Sequence, residues 1–131
     1  MALKPARRSI DIGILVADIT KSLAFYEGLL GLRKIGEMPL PFGHMHRLAF
    51  GDGVVKLIAP TTVPPSGALG VPKALGYRYM TFEVSNLDDV CGDCEKAGVR
   101  FEVRKRELLP GRFIAMVRDP DGNIVEFLQQ N

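Results

Sequence analysis

Alternating apolar and polar positions near the start of the chain predict a strand. Over residues 10–16 an isoleucine or valine occupies every second position, which is the period of a strand with one face on a core. Asp18 then stands where a helix N-cap is expected, and apolar residues at helical spacing continue until Gly31. The pattern therefore predicts a strand followed by a helix over about residues 19–30.

Two further strands are predicted after residues 36–43, a stretch that glycines and prolines interrupt. The strand-like runs 46–50 and 54–58 are separated by Gly-Asp-Gly at 51–53, a sequence typical of a tight hairpin. The first half of the chain is thus predicted to have the order strand, helix, strands.

The second half repeats this order after residues 59–76, whose four prolines and three glycines exclude a regular element over most of the segment. Residues 16–18 align with 84–86 at an offset of 68, which drifts to 70 by the last strands, and such self-similarity indicates a duplicated unit. The predicted elements are a strand at 79–84, a helix at 87–97 capped by Asn86, strands near 100–103 and 113–118, a turn at 119–123 and a strand at 124–128. We expect one domain over 1–131, with a first module at about 9–58, a linker at 59–76 and a second module at about 77–128.

Composition narrows the class of protein. A chain of 131 residues can bury roughly two thirds of its unfolded surface, so it needs neither a metal nor a disulfide merely to fold. No apolar run approaches the roughly 20 residues that a bilayer requires, and the first residues lack the apolar core of a signal peptide. The net charge is only +2 and most basic residues are dispersed. We therefore expect a soluble cytoplasmic protein that binds neither nucleic acid nor membranes.

The two cysteines, Cys91 and Cys94, form a Cys-x-x-Cys motif that is compatible with a redox pair or with half of a zinc site. A zinc site would need two further ligands at suitable spacing, whereas both cysteines fall on the apolar stripe of the predicted second helix. We interpret them as reduced core residues.

The repeat also predicts where polar side chains converge. Asp11 is equivalent to Tyr79 and Lys56 to Glu126, and alternation places all four on the face opposite the helix-facing stripe. Two like modules packed about a pseudo-twofold axis would bring these positions together around one cavity. Other residues predicted on that face suit an apolar ligand pocket, or equally a contact with another subunit: Leu15, Val54, Ile58, Thr81, Ile124 and Leu128.

Two segments resemble signatures of a known family. The first is Ile-Gly-Ile-Leu-Val-Ala-Asp at 12–18, followed by Phe-Tyr at 25–26 and Leu-Gly-Leu at 30–32. The second is Asp-Pro-Asp-Gly-Asn at 119–123, which runs into Val-Glu-Phe at 125–127. In this order and spacing they resemble the vicinal oxygen chelate superfamily of glyoxalases, bleomycin-resistance proteins and extradiol dioxygenases. The resemblance implies an α+β fold of two βαβββ modules that form a cupped mixed sheet around a small-molecule site.

The resemblance also implies where relatives hold a metal, on the first and last strands of each module and usually through His, Glu or Gln. The corresponding positions here are Asp11, Lys56, Tyr79 and Glu126. A protonated lysine has no lone pair to give, and a neutral phenol is a poor ligand. We therefore predict no metal and no other cofactor at these positions, with the Lys56 ammonium in the place of the cation. The alternative is that Lys56 only pairs with Glu126 or Asp11 as a remnant of a lost site.

His44 and His46 occupy alternate positions at the start of a central strand and so can share a face. Two histidines are a weak indication of a metal, because a third ligand would have to come from elsewhere, for example Asp11 or Glu126. They are otherwise acid-base groups beside a substrate at Lys56, or surface residues. Arg47 alternates with His46, so at most one of that pair faces the cup. The predicted substrate-binding residues are Asp11, His44, His46 and Arg47.

Three functions use the same fold and remain open. We favour a metal-free isomerase or lyase acting on a small oxygen-rich or anionic metabolite. In that enzyme Lys56 stabilises an enolate or carboxylate oxygen, and Tyr79, Glu126 or a histidine moves the proton. The second is a metal-dependent lyase, isomerase or dioxygenase of the glyoxalase type. The third is a drug- or metabolite-binding resistance protein without catalysis.

Exposed strand edges and an apolar sheet face predict a twofold homodimer. The modules would then pair either within one chain or across two.

Overall fold

The computed structural model describes residues 1–131 as two compact units, Met1–Pro64 and Pro65–Asn131. Each unit contains one four-stranded mixed sheet and one principal helical segment. The predicted α+β class and the order strand, helix, strands in each half are confirmed.

The first unit consists of four strands and one helical segment, and its sheet has the order β1-β4-β3-β2. Strand β1 runs parallel to β4, while β3 is antiparallel to both β4 and β2. The elements are β1 (Asp11–Leu15), α1 (Ile19–Leu23), a π-helical segment (Ala24–Leu29), β2 (Arg33–Leu40), β3 (Gly43–Phe50) and β4 (Gly53–Pro60). The predicted hairpin joins β3 to β4, with Gly51 at a φ of +54° in the turn.

Strand β4 lies between two partners, and its register defines two faces of the sheet. Lys56 lies directly across from Gly13 on one side and from Arg47 on the other. These cross-strand neighbours share a side of the sheet, which we call the Lys56 face. The opposite side, the helix face, carries Leu57 and Leu48, both fully buried. The alternation predicted for β1 is thereby confirmed, except that Ile10 precedes the strand and is exposed.

The first helix begins as predicted but does not continue as an α-helix to residue 30. Asp18 caps it by accepting a hydrogen bond from the Lys21 backbone N–H at 3.2 Å. From Ala24 onward the helix widens to π geometry, in which the Leu30 N–H donates to the Phe25 carbonyl at 2.9 Å. The wider turn reduces the angle between consecutive side chains, and the adjacent rings of Phe25 and Tyr26 are both buried.

Strand β2 is the largest departure from the sequence pattern, because its glycine and proline suggested an interrupted segment. It forms a strand at the edge of the sheet, where the missing N–H of Pro39 breaks no ladder that the fold requires. Its pairing with β3 shifts between Lys34 and Gly36, which leaves Ile35 in a β-bulge.

The second unit repeats the first with the sheet order β5-β8-β7-β6. Its elements are a 3₁₀ turn (Val71–Lys73), β5 (Tyr79–Glu83), α2 (Leu87–Lys96), β6 (Phe101–Leu109), β7 (Arg112–Arg118) and β8 (Ile124–Gln130). Thr81 lies across from Glu126, as Gly13 does from Lys56, so the register matches the offsets of 68 and 70. Strand β6 extends well beyond the predicted 100–103, with several bulges along an exposed edge.

Two polar residues hold the ends of elements in the second unit. Asn86 occupies the N-cap of α2 without a side-chain bond, and the Gln129 side chain instead accepts from the Leu87 N–H at 2.8 Å. In the predicted turn the buried Asp119 accepts from the backbone N–H groups of Asp121 and Asn123 at 2.9 and 2.8 Å.

None of the helices has the length and apolar composition needed to span a membrane.

The cysteines of α2 are free and face the core side of the helix, as predicted. Cys94 is fully buried and Cys91 is partly buried. Burial raises the pKa of the Cys94 thiol from 9.0 to about 11, and it also raises the pKa of Cys91. Both are therefore neutral thiols near neutral pH, which makes them weak nucleophiles.

We predict that Cys94 resists alkylation in the native protein. Because its folded pKa lies above the unfolded value, the neutral thiol contributes stability that is fully present below about pH 9 and lost as the pH rises through about 11. Thiol labelling at pH 8 of Cys91→Ala, which isolates Cys94, should be far slower than that of Cys94→Ala, and both should become fast in denaturant. Rapid labelling of native Cys91→Ala would contradict the buried placement.

Candidate functional site

The Lys56 ammonium shares the Asp11 carboxylate with a second cation. Lys56 Nζ lies 3.7 Å from Asp11 Oδ2, and the Arg7 guanidinium donates to Asp11 Oδ1 at 2.9 Å. The Arg7 contact, with a smaller contribution from Lys56, lowers the pKa of Asp11. One carboxylate therefore faces two positive charges, and this cluster carries a net charge of +1.

Arg7 was not predicted as a site residue, because it lies before the first strand in a segment without a periodic pattern. Two hydrogen bonds to the Asp52 carbonyl position this segment against the β3–β4 hairpin. Arg7 Nη1 donates at 3.1 Å and the Ser9 hydroxyl donates at 2.8 Å. Only the pairing of β1 with β4 brings the hairpin beside residues 7–11, so no local sequence signal could have found this contact.

Arg47 lies on the Lys56 face, directly across from Lys56. Its other cross-strand neighbour is Gly36, where an added Cβ would stand 3.9 Å from Arg47 Nη1. A Cβ there would make only an ordinary van der Waals contact, so the guanidinium lies close to β2 beside Gly36. Asp11, Lys56 and Arg47 thus share one face of the first unit, and Arg47 adds a further positive charge to it.

His44 and His46 lie on the helix face, and this placement corrects their grouping with Lys56. His46 is paired with Leu57 and His44 with Ala59, the residues that alternate with Lys56 and Ile58 along β4. The sheet itself separates the two imidazoles from Lys56. A substrate bound against Lys56 in this unit would not contact them, and Asp11 cannot supply their third ligand.

The neighbour of the two histidines is Glu37, which lies on β2 across from His46. Glu37 Oε1 is 2.8 Å from His44 Nε2 and 3.7 Å from His46 Nδ1, while Lys34 Nζ lies 2.5 Å from Glu37 Oε2. The contacts with Lys34 and His44 lower the pKa of Glu37 to about 2. Burial lowers the pKa of His46. Sequence reasoning missed Glu37, because β2 had not been recognised as a strand.

In the second unit, Glu126 and Tyr79 occupy the equivalent face. The Thr81 hydroxyl donates to Glu126 Oε1 at 2.7 Å, which orients the carboxylate and leaves Oε2 available to another partner. Tyr79 lies across from Ile124, two residues before Thr81, and is about half exposed. This face therefore presents one oriented carboxylate and one accessible phenol.

The residues at the four family positions do not suit a divalent cation. Lys56 is within ion-pair distance of Asp11. Its positive charge therefore repels a metal ion from the Asp11 carboxylate, which would have to bind that ion. Neither the ammonium nor a neutral Tyr79 phenol supplies a good metal ligand. The charged groups that this face offers to a ligand are Lys56 and its neighbours.

Comparisons with known proteins agree with this fold and place the chain in a family. A family model described as the Glyoxalase/Bleomycin resistance protein/Dioxygenase superfamily matches residues 9–127. The chain therefore belongs to this superfamily, and the resemblance inferred from the motifs at 12–18 and 119–123 is confirmed.

Three individual proteins show the range of similar chains. The uncharacterized protein YwkD of Bacillus subtilis is 28% identical over 122 residues, which are 91% of this chain and 94% of that protein. Human mitochondrial methylmalonyl-CoA epimerase is 31% identical over 94 residues, 68% of this chain and 53% of the epimerase. The solved structure of trypanothione-dependent glyoxalase I from Leishmania major superposes with a TM-score of 0.76 at 25% identity, covering 95% of this chain and 87% of that one.

Proposed function

We propose that this protein binds a small anionic or oxygen-rich metabolite against the Lys56 face and catalyses proton transfer next to a carbonyl or carboxylate group, without a metal at the four family positions. The observation that carries the proposal is the sharing of one carboxylate, Asp11, between Lys56 and Arg7. The reaction would be of the isomerase or lyase type. The Lys56 ammonium would stabilise the negative charge that develops on the ligand oxygen.

The charge on the Lys56 face favours an anionic ligand. Arg7 and Lys56 outnumber the Asp11 carboxylate by one charge, and Arg47 on the same face raises the excess to two. The Lys56 side chain is one-third exposed, so part of it is accessible to a ligand. A developing enolate oxygen gains negative charge during proton removal, and a fixed ammonium stabilises that charge more than it stabilises the neutral carbonyl.

The similarity to methylmalonyl-CoA epimerase supports two parts of this proposal, the anionic ligand and the proton transfer. The name of that relative denotes inversion at a carbon of a methylmalonyl group, a unit that carries a free carboxylate. Inverting a carbon that lies between two carbonyl groups is readily achieved by removing and returning a proton. This kind of chemistry needs an anion-binding cation and an acid-base group, both of which this chain offers.

We assign proton transfer to Glu126, with Tyr79 as a second donor. The Thr81 hydroxyl bond fixes one oxygen of Glu126, and a positioned carboxylate is a suitable general base. Asp11 is less suited, because both of its oxygens are engaged by cations.

The alternative that family membership favours is a protein that sequesters its ligand without turnover, as the bleomycin-resistance part of the family description implies. The same cationic face would serve that role. The two functions differ in whether a bound ligand exchanges its proton with solvent.

We predict that Lys56→Met weakens binding of small carboxylates by roughly 10- to 100-fold, the value of a charge-assisted hydrogen bond, while retaining the apolar stem. The measurement is thermal shift and calorimetry with a panel of dicarboxylates and 2-oxo acids. The matched control is Lys105→Met, since Lys105 is also a strand lysine paired with a carboxylate and has a similar exposure. Equal losses in both variants, or unchanged affinity in Lys56→Met, would contradict the assignment.

Catalysis is tested by Glu126→Gln, which keeps an oxygen to accept from Thr81 but removes the base. For a ligand found in that panel, wild-type protein in D2O should exchange the proton next to the carbonyl or carboxylate, as followed by NMR. The variant should bind the ligand normally and exchange roughly 10²- to 10⁴-fold more slowly. Tyr79→Phe distinguishes a contribution of the phenol. Binding without exchange in the wild type would exclude the enzyme and leave the sequestering protein.

We also propose a homodimer, because each sheet ends in edge strands, β1 and β2 in the first unit and β5 and β6 in the second. Light scattering at micromolar concentration should give twice the 14.4 kDa mass of one chain. A mass of one chain under these conditions would refute the proposal.

A further inference from the structure

We propose that Glu37, His44 and His46 bind one divalent transition-metal ion, with Zn²⁺ as the preferred ion, on the helix face of the first unit. This site is distinct from the four positions that the family uses, because it lies on the opposite side of the sheet from Asp11 and Lys56. It is also independent of the function proposed above.

The positions of the three side chains follow from the pairing of two adjacent strands. His44 and His46 alternate along β3, and Glu37 on β2 lies across from His46. One ligand atom from each residue lies within 4.8 Å of the other two. In a tetrahedral zinc site with bonds of about 2.0–2.1 Å, the ligand atoms are about 3.3 Å apart. The spacings of 2.8 and 3.7 Å from Glu37 Oε1 to the two imidazoles lie on either side of that value.

His46 supplies an independent indication that the cluster lacks a partner. Its side chain is only 12% exposed, and its Nδ1 atom is buried and makes no hydrogen bond. A buried polar atom without a partner costs free energy, and such atoms are rare in native structures. The Glu37 oxygen at 3.7 Å is too far away to accept a hydrogen bond. An ion between these two atoms would supply the partner that Nδ1 lacks.

An ion can reach the cluster from solvent past Glu37 and His44. The side chains of Glu37 and His44 are 43% and 45% exposed, so they can move by the 1–1.5 Å or so that tetrahedral coordination requires. The rings of His44 and His46 meet edge to face, with their centroids 5.1 Å apart. His44 would exchange its hydrogen bond to Glu37 for a bond to the ion.

The charges around the cluster decide which oxygen of Glu37 is available. Lys34 engages Oε2 and would repel an ion on that side, so the ion must bind through Oε1 with Lys34 retained as a partner of Oε2. Glu27 on the π-helical segment acts electrostatically on His46 and adds a second negative charge nearby. The negative charges of Glu27 and Glu37 together exceed the positive charge of Lys34 by one.

The ligand types select the class of ion. Two imidazoles and one carboxylate form a set that zinc enzymes use, with water in the fourth position. Ca²⁺ and Mg²⁺ prefer sites made of oxygen atoms alone. We therefore expect Zn²⁺ or Co²⁺ to bind, and Mg²⁺ not to compete.

The test uses the full chain without a histidine tag, stripped with a chelator and titrated with Co²⁺, followed by competition with Zn²⁺. Wild-type protein should bind one Co²⁺ per chain with the intense visible absorption of a tetrahedral site, and Zn²⁺ should displace it. His44→Gln and Glu37→Gln should each lower the affinity by at least the roughly 10- to 100-fold known for loss of outer-shell partners. Both substitutions are at half-exposed positions, so folding is not at risk.

The matched control is Glu102→Gln, since Glu102 is also a strand carboxylate paired with a basic residue, Arg118. It should bind Co²⁺ as the wild type does. The proposal is overturned if the wild type shows no tetrahedral absorption, or if His44→Gln and Glu37→Gln retain wild-type affinity. If Glu126→Gln rather than His44→Gln removes the ion, the metal occupies a family position, and the metal-free function proposed above also fails.

Discussion

The register of β4 between its two partners is the constraint on which the first unit depends. Side chains along a strand alternate strictly between two faces, so a slip of one residue would exchange every side chain between the faces. The burial of Leu57 on the helix face prevents such a slip, because it would put the Lys56 ammonium into the core. The placement of Lys56 beside Asp11 is thus a consequence of apolar packing on the other side of the sheet.

Much of the fold followed from sequence patterns that are local. The period of two in β1, the cap at Asp18 and the hairpin at 51–53 are signals contained within a few residues. Strand β2 was missed because its stability comes from pairing with β3 and not from its own composition. The π-helical segment was missed because the apolar stripe looks the same in both kinds of helix.

The candidate site was predictable only where it depended on alternation or on the repeat. Asp11 and Lys56 were expected on one face from alternation, and the strand register places them there together with Arg47, which the pattern had left undecided against His46. Arg7 and Glu37 were not found, because neither lies in a segment whose pattern predicted a strand: Arg7 precedes β1 and Glu37 lies on β2. The histidines were grouped with the wrong neighbours because the pairing of β3 with β4, and not the pattern of β3, decides which face they occupy. Parity along a strand says which residues share a side, but it does not say which side faces the helix.

The bulge at Ile35 changes the parity of an entire strand. In an uninterrupted strand, residues three apart face opposite sides, yet Lys34 and Glu37 form an ion pair on one side because the extra residue lies between them. Strand β2 therefore changes frame at one position. If Ile35 instead joined the regular pairing with β3, it would act on the residues before it as an inserted base acts on codons: the composition would be unchanged, while Lys34 would move to the face of Arg47 and leave Glu37 without its cation.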